Sequence, residues 1–292
     1  MKRYLINTVF ALTFVICGLA ACAQVKVQEP NDTPGEWSKP YPPFRIAGDL
    51  YYVGTEDLAC YLITTNKGNI LINTGLANSA DIIANNIKTL GFKLSDTKIL
   101  LTTQAHYDHM GAMAAIKART GAKMLVDAAD AQVMKDGGAS DYALGNGKPT
   151  YTPLKPDGLL HDRDVIELGN VKLTMLHHPG HTKGSCSYLF DVKDDQRTYR
   201  VLIANMPTIV ASKPFDQVTA YPQIAQDYAY TLKAMAGLKF DIWLASHASQ
   251  FDLQGKHKPG SAYNPSAFID QGGYDELLSD LNNAYQQKLK QK

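Results

Sequence analysis

Hydrophobic and polar positions change in short runs along the first half of the chain. The runs LYYVG, ACYLITT and NILINTG have the β-branched and aromatic composition of strands, and glycine, aspartate or asparagine separates them. Residues 79–92 then carry apolar residues at helical spacing and end near Gly91. The run DTKILLTT that follows predicts a buried strand.

The second half repeats this alternation. The patterns predict a helix that stops at Gly121, a strand followed by a helix in AKMLVDAADAQVMKDGG, and a loop over residues 137–153. Strands are predicted at DVIELGN, VKLTMLHHPG, CSYLFDV, YRVLIANM and DIWLASHAS, with helices at IAQDYAYTLKAMAGL and in the polar tail. Since no linker divides the pattern, we predict one domain over residues 24–292, an α/β sandwich with two strand layers and helices outside.

Residues 1–23 have the pattern of a secretory signal. A short positive start precedes an almost wholly apolar run, YLINTVFALTFVICGLAA, which is too short for a convincing membrane-spanning helix. The tripeptide ACA predicts cleavage before Gln24, whereas LAAC resembles a bacterial lipobox in which Cys22 is acylated. Both alternatives predict an exported, periplasmic protein, which is soluble in the first case and anchored to the membrane by lipid in the second.

Composition places the rest of the chain among ordinary globular proteins. Its 292 residues include 45% hydrophobic and 20% charged residues, and the formal net charge is +1. There is no basic excess to hold a nucleic-acid backbone. We therefore predict no nucleic-acid partner.

Two cysteines remain after the leader. Cys60 and Cys186 both lie in strand-like apolar runs. An exported protein can pair such cysteines, but two small buried core residues are the preferred interpretation. No CxxC or clustered-cysteine zinc pattern occurs.

The stretch TTQAHYDHMG, residues 102–111, concentrates residues that bind metals. His106, Asp108 and His109 directly follow a predicted strand, and Gln104 stands two positions before the first histidine. Imidazole and carboxylate are the usual zinc ligands of catalytic sites. The HYDH segment can therefore serve two metal ions rather than one.

Two more histidines follow other predicted strands, His181 in HPGHTKG and His247 in LASHAS. Strand ends in layered α/β proteins converge at one edge, where ligands bind. We therefore predict that His181 and His247 join the first cluster in a metal site. His161 and His257 lie in polar turns and are interpreted as surface residues, whereas His177 and His178 are interpreted as strand or supporting residues rather than ligands.

The motifs QAHYDH, PGHTKG and the late SH resemble the metal motifs of the metallo-β-lactamase superfamily. The order of GTEDLACYLI, GNILINTG, ILLTTQAHYDHMGA, TGAK, GGASD and HPGHTKGSCSY resembles subclass B3, from about Pro43 to His247. The glutamine in the first motif is similar to the GOB-type branch of that subclass. The resemblance implies a four-layer αββα sandwich with the metals in a groove at one edge.

The resemblance also implies two zinc sites. An amide oxygen is a poorer zinc ligand than an imidazole nitrogen, so we expect the site with the glutamine to be the weaker and the chain to hold one or two zinc ions. The first site is Gln104, His106 and His181, and the second is Asp108, His109 and His247.

The activity implied is that of a zinc β-lactamase that confers antibiotic resistance. A metal-bound hydroxide would attack the β-lactam amide of penicillins, cephalosporins and carbapenems, with Asp108 orienting the water. Thr208 is the candidate for holding the substrate carboxylate, and Trp37 and residues 137–152 are candidates for the groove walls. Neither a GxSxG elbow nor the SxxK motif set of serine enzymes occurs. We expect a monomer.

Two departures from the superfamily pattern help to distinguish a β-lactamase from other proteins of the same fold. Asn73 stands where aspartate is common, which removes a charge near the metals, and Asn205 with Met206 stands where glyoxalase II and lactonases place a bridging aspartate. This argues against a hydrolase of lactones, thioesters or phosphoesters. A non-catalytic zinc protein, with Gln104 marking a decayed site, is the other alternative, and the complete second ligand set argues against it.

Overall fold

Two β-sheets pack face to face, and helices cover the outer face of each. The computed structural model describes residues 26–291, so the predicted signal segment and Cys22 lie outside the described residues. In the first sheet, β1 to β4 run antiparallel and β4 to β7 run parallel. Its seven strands, in spatial order, are β1 (Phe44–Ala47), β2 (Leu50–Tyr52), β3 (Tyr61–Thr65), β4 (Gly68–Ile72), β5 (Thr97–Leu101), β6 (Lys123–Asp127) and β7 (Gly158–Leu160).

The second sheet has five strands in the order β12-β11-β10-β9-β8, and only the pair β11 and β12 is parallel. In chain order they are β8 (Val165–Leu168), β9 (Val171–His177), β10 (Cys186–Lys193), β11 (Thr198–Ala204) and β12 (Ile242–Ala245).

Seven α-helices within residues 26–291 complete the layers. Side chains of α1, α3 and α4 pack on the outer face of the first sheet, and α5 and α7 pack together beside the second. Their bounds are α1 (Ser79–Thr89), α2 (Tyr107–Met110), α3 (Met113–Thr120), α4 (Ala131–Lys135), α5 (Ile224–Ala236), α6 (Leu253–Lys256) and α7 (Gln271–Leu289). Between residues 26 and 291, no helix is long and apolar enough to cross a membrane.

The strands of the first sheet are buried on both faces because alternate side chains enter different cores. Tyr61 and Ile63 of β3 belong to the core between the sheets, whereas Leu62 packs with the helices outside. Strands β3 and β4 therefore show near-continuous apolar runs rather than strict alternation. This arrangement confirms the predicted αββα sandwich.

Most sequence predictions for individual elements are confirmed, including the helix that ends at Gly121, whose φ of 67° suits a glycine at a helix C-terminus. Cys60 and Cys186 are both buried and unpaired, as the preferred interpretation held. The prediction for His257 was wrong. Its ring is buried and stacks on Phe44 with centroids 3.6 Å apart, because the turn after α6 folds back against β1.

Candidate metal centre

Three strand ends meet at one edge of the sandwich, as the sequence predicted. The backbone of Thr103, just beyond β5, accepts a 2.8 Å hydrogen bond from the Cys186 N–H at the start of β10. The Thr103 hydroxyl lies 2.8 Å from that of Ser246, just beyond β12. The segments that carry the predicted ligands are thus joined across the two sheets.

Asp108, His109 and His247 form a compact group. One potential ligand atom from each lies within 4.8 Å of the others. Oδ2 of Asp108 is 3.1 Å from Nε2 of His109 and 3.3 Å from Nε2 of His247. Asp108 and His109 come from α2, and His247 follows β12, so only the fold brings the third member to the other two.

The other three predicted ligands lie beside this group. The rings of His106 and His181 have centroids 4.9 Å apart. Gln104 is 2% exposed, and its Oε1 accepts a 3.4 Å hydrogen bond from Nδ2 of Asn205. An amide, rather than the bridging aspartate of other hydrolases, therefore faces the glutamine oxygen.

The carboxylate of Asp57 determines which ring nitrogen of His247 carries a proton. Its Nδ1 lies 2.9 Å from Oδ2 of Asp57, and Nε1 of Trp37 donates a 3.0 Å hydrogen bond to the same oxygen. Because an ionised carboxylate only accepts, Nδ1 carries a proton, and Nε2, which faces Asp108, is the nitrogen that a metal could bind. Burial raises the pKa of Asp57, but its hydrogen bonds with His247 and Ser249 outweigh burial and lower it below its usual range.

The same reasoning applies to His181 and His106. Nδ1 of His181 lies 2.8 Å from the Thr208 carbonyl oxygen, an obligate acceptor, which leaves Nε2 free. Nε2 of His106 lies 3.3 Å from Oδ2 of Asp141. Burial lowers the pKa of His106, but the Asp141 carboxylate outweighs burial and raises it above its usual value. This contact assigns the proton to Nε2 and leaves Nδ1 for a ligand.

Burial and nearby charge set the ionisation of the remaining groups. Burial lowers the pKa of His109, and lowers that of His181 to about 3. Burial raises the pKa of Asp108, but His109 and His247 outweigh it and hold that pKa well below its usual range. Burial lowers the pKa of His247, yet its contacts with Asp108 and Asp57 raise it to about 9. Asp108 is thus an ionised carboxylate beside the neutral imidazole of His109, and the carboxylates of Asp108 and Asp57 favour the charged form of His247.

A buried carboxylate ties the two ligand loops together. Oδ2 of Asp130 accepts a 3.0 Å hydrogen bond from the Ala105 N–H and a 2.7 Å bond from the Thr182 hydroxyl. Its Oδ1 accepts a 2.7 Å bond from the Gly184 N–H. Burial raises the pKa of Asp130 to about 6. Ala105 lies between Gln104 and His106. Asp130 therefore sets the spacing between the loop that carries these two residues and the loop that carries His181.

These residues fit zinc. Both ring nitrogens of His109 are buried without a hydrogen-bond partner in the described chain. Buried polar atoms without partners are costly, and a cation removes the cost for a nitrogen whose lone pair is free. Imidazole nitrogens with one carboxylate are a donor set that zinc prefers.

Comparison with known proteins agrees with this site. A model of the family described as the metallo-beta-lactamase superfamily matches residues 54–247. The chain belongs to this superfamily.

Solved structures of the superfamily resemble this member over nearly its whole length. The class B3 di-zinc metallo-beta-lactamase LRA-12 from an Alaskan soil metagenome is 66% identical, with a TM-score of 0.89 and coverage of 90% of this chain and 100% of that one. The metallo-beta-lactamase GOB-18 from Elizabethkingia meningoseptica is 58% identical, with a TM-score of 0.90 and coverage of 91% and 98%.

Curated relatives match a shorter part of this metallo-beta-lactamase superfamily member. A hydroxyacylglutathione hydrolase of Bradyrhizobium sp. (strain BTAi1) is 29% identical over 115 residues, which are 39% of this chain and 36% of that protein. The chain spans less than half the length of the curated relatives it matches.

Sequence reasoning missed the residues that support the ligands. Asp57 lies 190 residues from His247, Asp130 lies 25 residues from Ala105, and Asp141 lies 35 residues from His106. No local motif marks these three carboxylates. A faint signal existed in the GTEDLACYLI and GGASD segments, which carry Asp57 and Asp141. Of the two candidates for the groove walls, Trp37 lies beside the site, with its ring centroid 5.4 Å from that of His247.

The predicted loop over residues 137–152 reaches the site through Tyr142 as well as through Asp141. The Tyr142 hydroxyl donates to the backbone oxygens of Gly180 at 2.9 Å and His181 at 3.1 Å. His177 and His178 lie outside the ligand cluster. His177 contacts Asp127 at 2.7 Å, and Nδ1 of His178 lies 2.8 Å from the Ser187 hydroxyl.

Proposed function

We propose that this protein is a zinc-dependent β-lactamase that hydrolyses the amide bond of penicillins, cephalosporins and carbapenems and so confers antibiotic resistance. One observation carries the proposal. A buried Asp–His–His group and a second pair of histidines share one edge of the sandwich, in a chain 66% identical to a class B3 di-zinc metallo-beta-lactamase.

The proposal assigns two zinc sites. Zinc supplies a Lewis acid and lowers the pKa of water to about 7, which makes a nucleophile available at neutral pH. The site that includes the glutamine is expected to be the weaker, because an amide oxygen competes poorly with imidazole. The residues that would hold the metals are Asp108, His109 and His247 in one site and Gln104, His106 and His181 in the other.

Asp108 has the geometry of a general base and general acid for the hydrolysis. Its Oδ2 faces the imidazoles of His109 and His247, which leaves Oδ1 to orient the attacking water and accept its proton. The carboxylate is ionised over the neutral pH range because the two imidazoles hold its pKa well below its usual range. The same oxygen can return the proton to the amide nitrogen when the C–N bond breaks.

Thr208 remains our candidate for the substrate carboxylate. Its hydroxyl oxygen lies 2.9 Å from Nδ1 of His181, and that nitrogen already carries the proton. The Thr208 hydroxyl therefore accepts from the imidazole, and its own proton is free to donate to a carboxylate. Trp37 and the loop over residues 137–152 would form opposite walls of the groove.

A thioester or lactone hydrolase is the rival within the same fold. Its bridging carboxylate would occupy the position of Asn205, whose Nδ2 instead donates to Gln104. The neutral amide cannot balance two cations as an aspartate does. This favours the β-lactamase.

We also propose that residues 1–23 export the protein to the periplasm and that the mature chain is a monomer. Two maturation routes remain, cleavage before Gln24 or acylation of Cys22. Mass spectrometry of the mature N-terminus distinguishes them, since an acylated product begins at Cys22. Sedimentation equilibrium tests the monomer.

The function is tested by measuring hydrolysis of a cephalosporin and a carbapenem by purified residues 24–292, with zinc content determined on the same sample. We expect hydrolysis that a chelator abolishes and added zinc restores. If the zinc-loaded protein leaves both drugs intact, the β-lactamase proposal fails, and lactone and thioester substrates become the next candidates.

A further inference from the structure

A cavity of about 670 Å³ lies between α5 and the second sheet, away from the metal centre. Its apolar wall consists of side chains from β9, β10 and the end of α5, and none of the six predicted metal ligands lines it. Roughly 300 to 1,000 Å³ is the range of small-molecule sites. The apolar lining residues are Leu176, Leu189, Ala234 and Leu238.

The rim of this cavity is strongly basic. Four cationic residues line it, and among the described residues that do so Asp162 is the single acid. Asp162 is already engaged, since its Oδ1 accepts a 3.0 Å hydrogen bond from the His177 N–H and its Oδ2 lies 3.6 Å from Nε of Arg163. The other three cations form no ion pair within residues 26–291: Arg200, Lys233 and Lys239.

His178 adds a polar atom at the base of the cavity. The residue is 3% exposed, and its Nδ1 lies 2.8 Å from the Ser187 hydroxyl. That contact leaves Nε2 as the ring nitrogen without a partner among the described residues. Burial lowers the pKa of His178 to about 4, so the ring is neutral and offers Nε2 to a ligand.

The volume of the cavity, its apolar wall and its unpaired cations together indicate the chemical class of the ligand. The apolar part of such a ligand would pack against the leucine side chains, and its negatively charged group would interact with the cations at the rim. We propose that this cavity binds a free organic anion with an apolar body, of the aryl or alkyl carboxylate and sulfonate class, independently of the metal centre. This proposal does not depend on the β-lactamase activity.

The probe for the test is naphthalene-2-sulfonate, because sulfonates are weak zinc ligands and the metal centre should not compete for it. Binding to zinc-loaded protein is measured by isothermal titration calorimetry. We expect one saturable site, with affinity lowered at least about tenfold in Arg200→Glu, since one ion pair becomes a repulsion. Ala234→Phe, which fills the cavity, should lower it by a similar factor.

Two controls locate the site. Lys67→Glu makes the same charge change at an exposed position outside the cavity, and it should leave affinity within about twofold. His247→Ala removes a predicted metal ligand and should also leave affinity unchanged. Neutral 2-naphthol should bind at least about tenfold more weakly than the sulfonate.

Several results would overturn the proposal. The first is the absence of saturable binding. The second is an equal affinity in wild type, in Arg200→Glu and in Ala234→Phe. The third is a loss of binding that occurs only in His247→Ala. Co-sedimentation with phosphatidylglycerol vesicles separates a free anion from membrane lipid. We expect the protein to stay in the supernatant, and sedimentation that Arg200→Glu abolishes would reassign the basic rim to a lipid surface.

Discussion

Asp57 and His247 are 190 residues apart in sequence, yet Oδ2 of Asp57 lies 2.9 Å from Nδ1 of His247. The same carboxylate receives the Trp37 indole N–H and, through Oδ1, the Ser249 N–H. It therefore holds the ring in one orientation and in the tautomer whose Nε2 faces Asp108. An imidazole held this way binds a metal without losing further freedom.

Asp57→Ala should weaken zinc binding at the second site by about 10- to 100-fold, because His247 loses the acceptor that fixes its tautomer. Zinc affinity is measured by competition with a chromophoric chelator. Asp195→Ala, which removes an exposed carboxylate in the β10–β11 turn, is the matched control. Equal zinc affinity in Asp57→Ala and wild type would show that the contact does not support the metal.

Gln104→His should raise zinc affinity at the first site, since an imidazole nitrogen replaces an amide oxygen. The expected change is a higher zinc content per chain at intermediate chelator concentrations. Gln104→Ala, which offers no ligand, should lower zinc content below that of wild type. Identical stoichiometry for wild type and Gln104→His across the whole titration would refute this explanation of the glutamine.

Asp130→Asn should disturb both ligand loops. One carboxylate oxygen becomes an amide NH₂, which then faces the N–H of Ala105 or of Gly184 in a buried site. Leaving such a donor unsatisfied costs about 1 to 3 kcal/mol of unfolding free energy. Urea unfolding measures this loss, and we expect lower zinc affinity in the same variant. Wild-type stability and wild-type zinc content together would remove Asp130 from this role.

Thr208→Ala should raise KM about fivefold or more while zinc affinity stays within about twofold of wild type. The Thr208 carbonyl remains to accept from His181, so the metal ligand keeps its support, and only the hydroxyl is lost. Thr208→Ser keeps the hydroxyl and should retain the wild-type KM. A fall in zinc content with no change in KM would instead make Thr208 a support for His181 alone.

The pair His177 and Asp127 should make stability depend on pH. Burial lowers the pKa of His177, but the hydrogen bond and charge of Asp127 outweigh burial and raise that pKa above its usual 6.5. Because the folded-state pKa is the higher one, the stabilisation is complete below about pH 6.5 and is lost as pH rises through the folded-state pKa.

His177→Gln should therefore lower the free energy of unfolding by about 0.5 to 1 kcal/mol near pH 6 and by less near pH 9. Urea unfolding at saturating zinc measures the difference between wild type and variant at each pH. Comparing the two proteins at the same pH removes the pH dependence of zinc binding itself. A difference of equal size at both pH values would contradict the assignment.

The sequence by itself determined the elements and the chemistry. Apolar runs with turn residues between them predicted the strands, and the spacing of residues 79–92 predicted α1, because local patterns report which faces are buried. The QAHYDH segment predicted a metal site since three of its residues are typical zinc ligands within a few positions. The resemblance then supplied the pairing of ligands into two sites.

Only the tertiary structure decided what surrounds those ligands. Asp57, Asp130 and Asp141 are single carboxylates in segments far from the histidines, and no local pattern distinguishes them from surface acids. His257 was misjudged for the same reason, because its polar neighbours in sequence gave no sign that Phe44 would cover it. Burial and tautomer depend on contacts between distant segments, and those exist only once the two sheets have packed together.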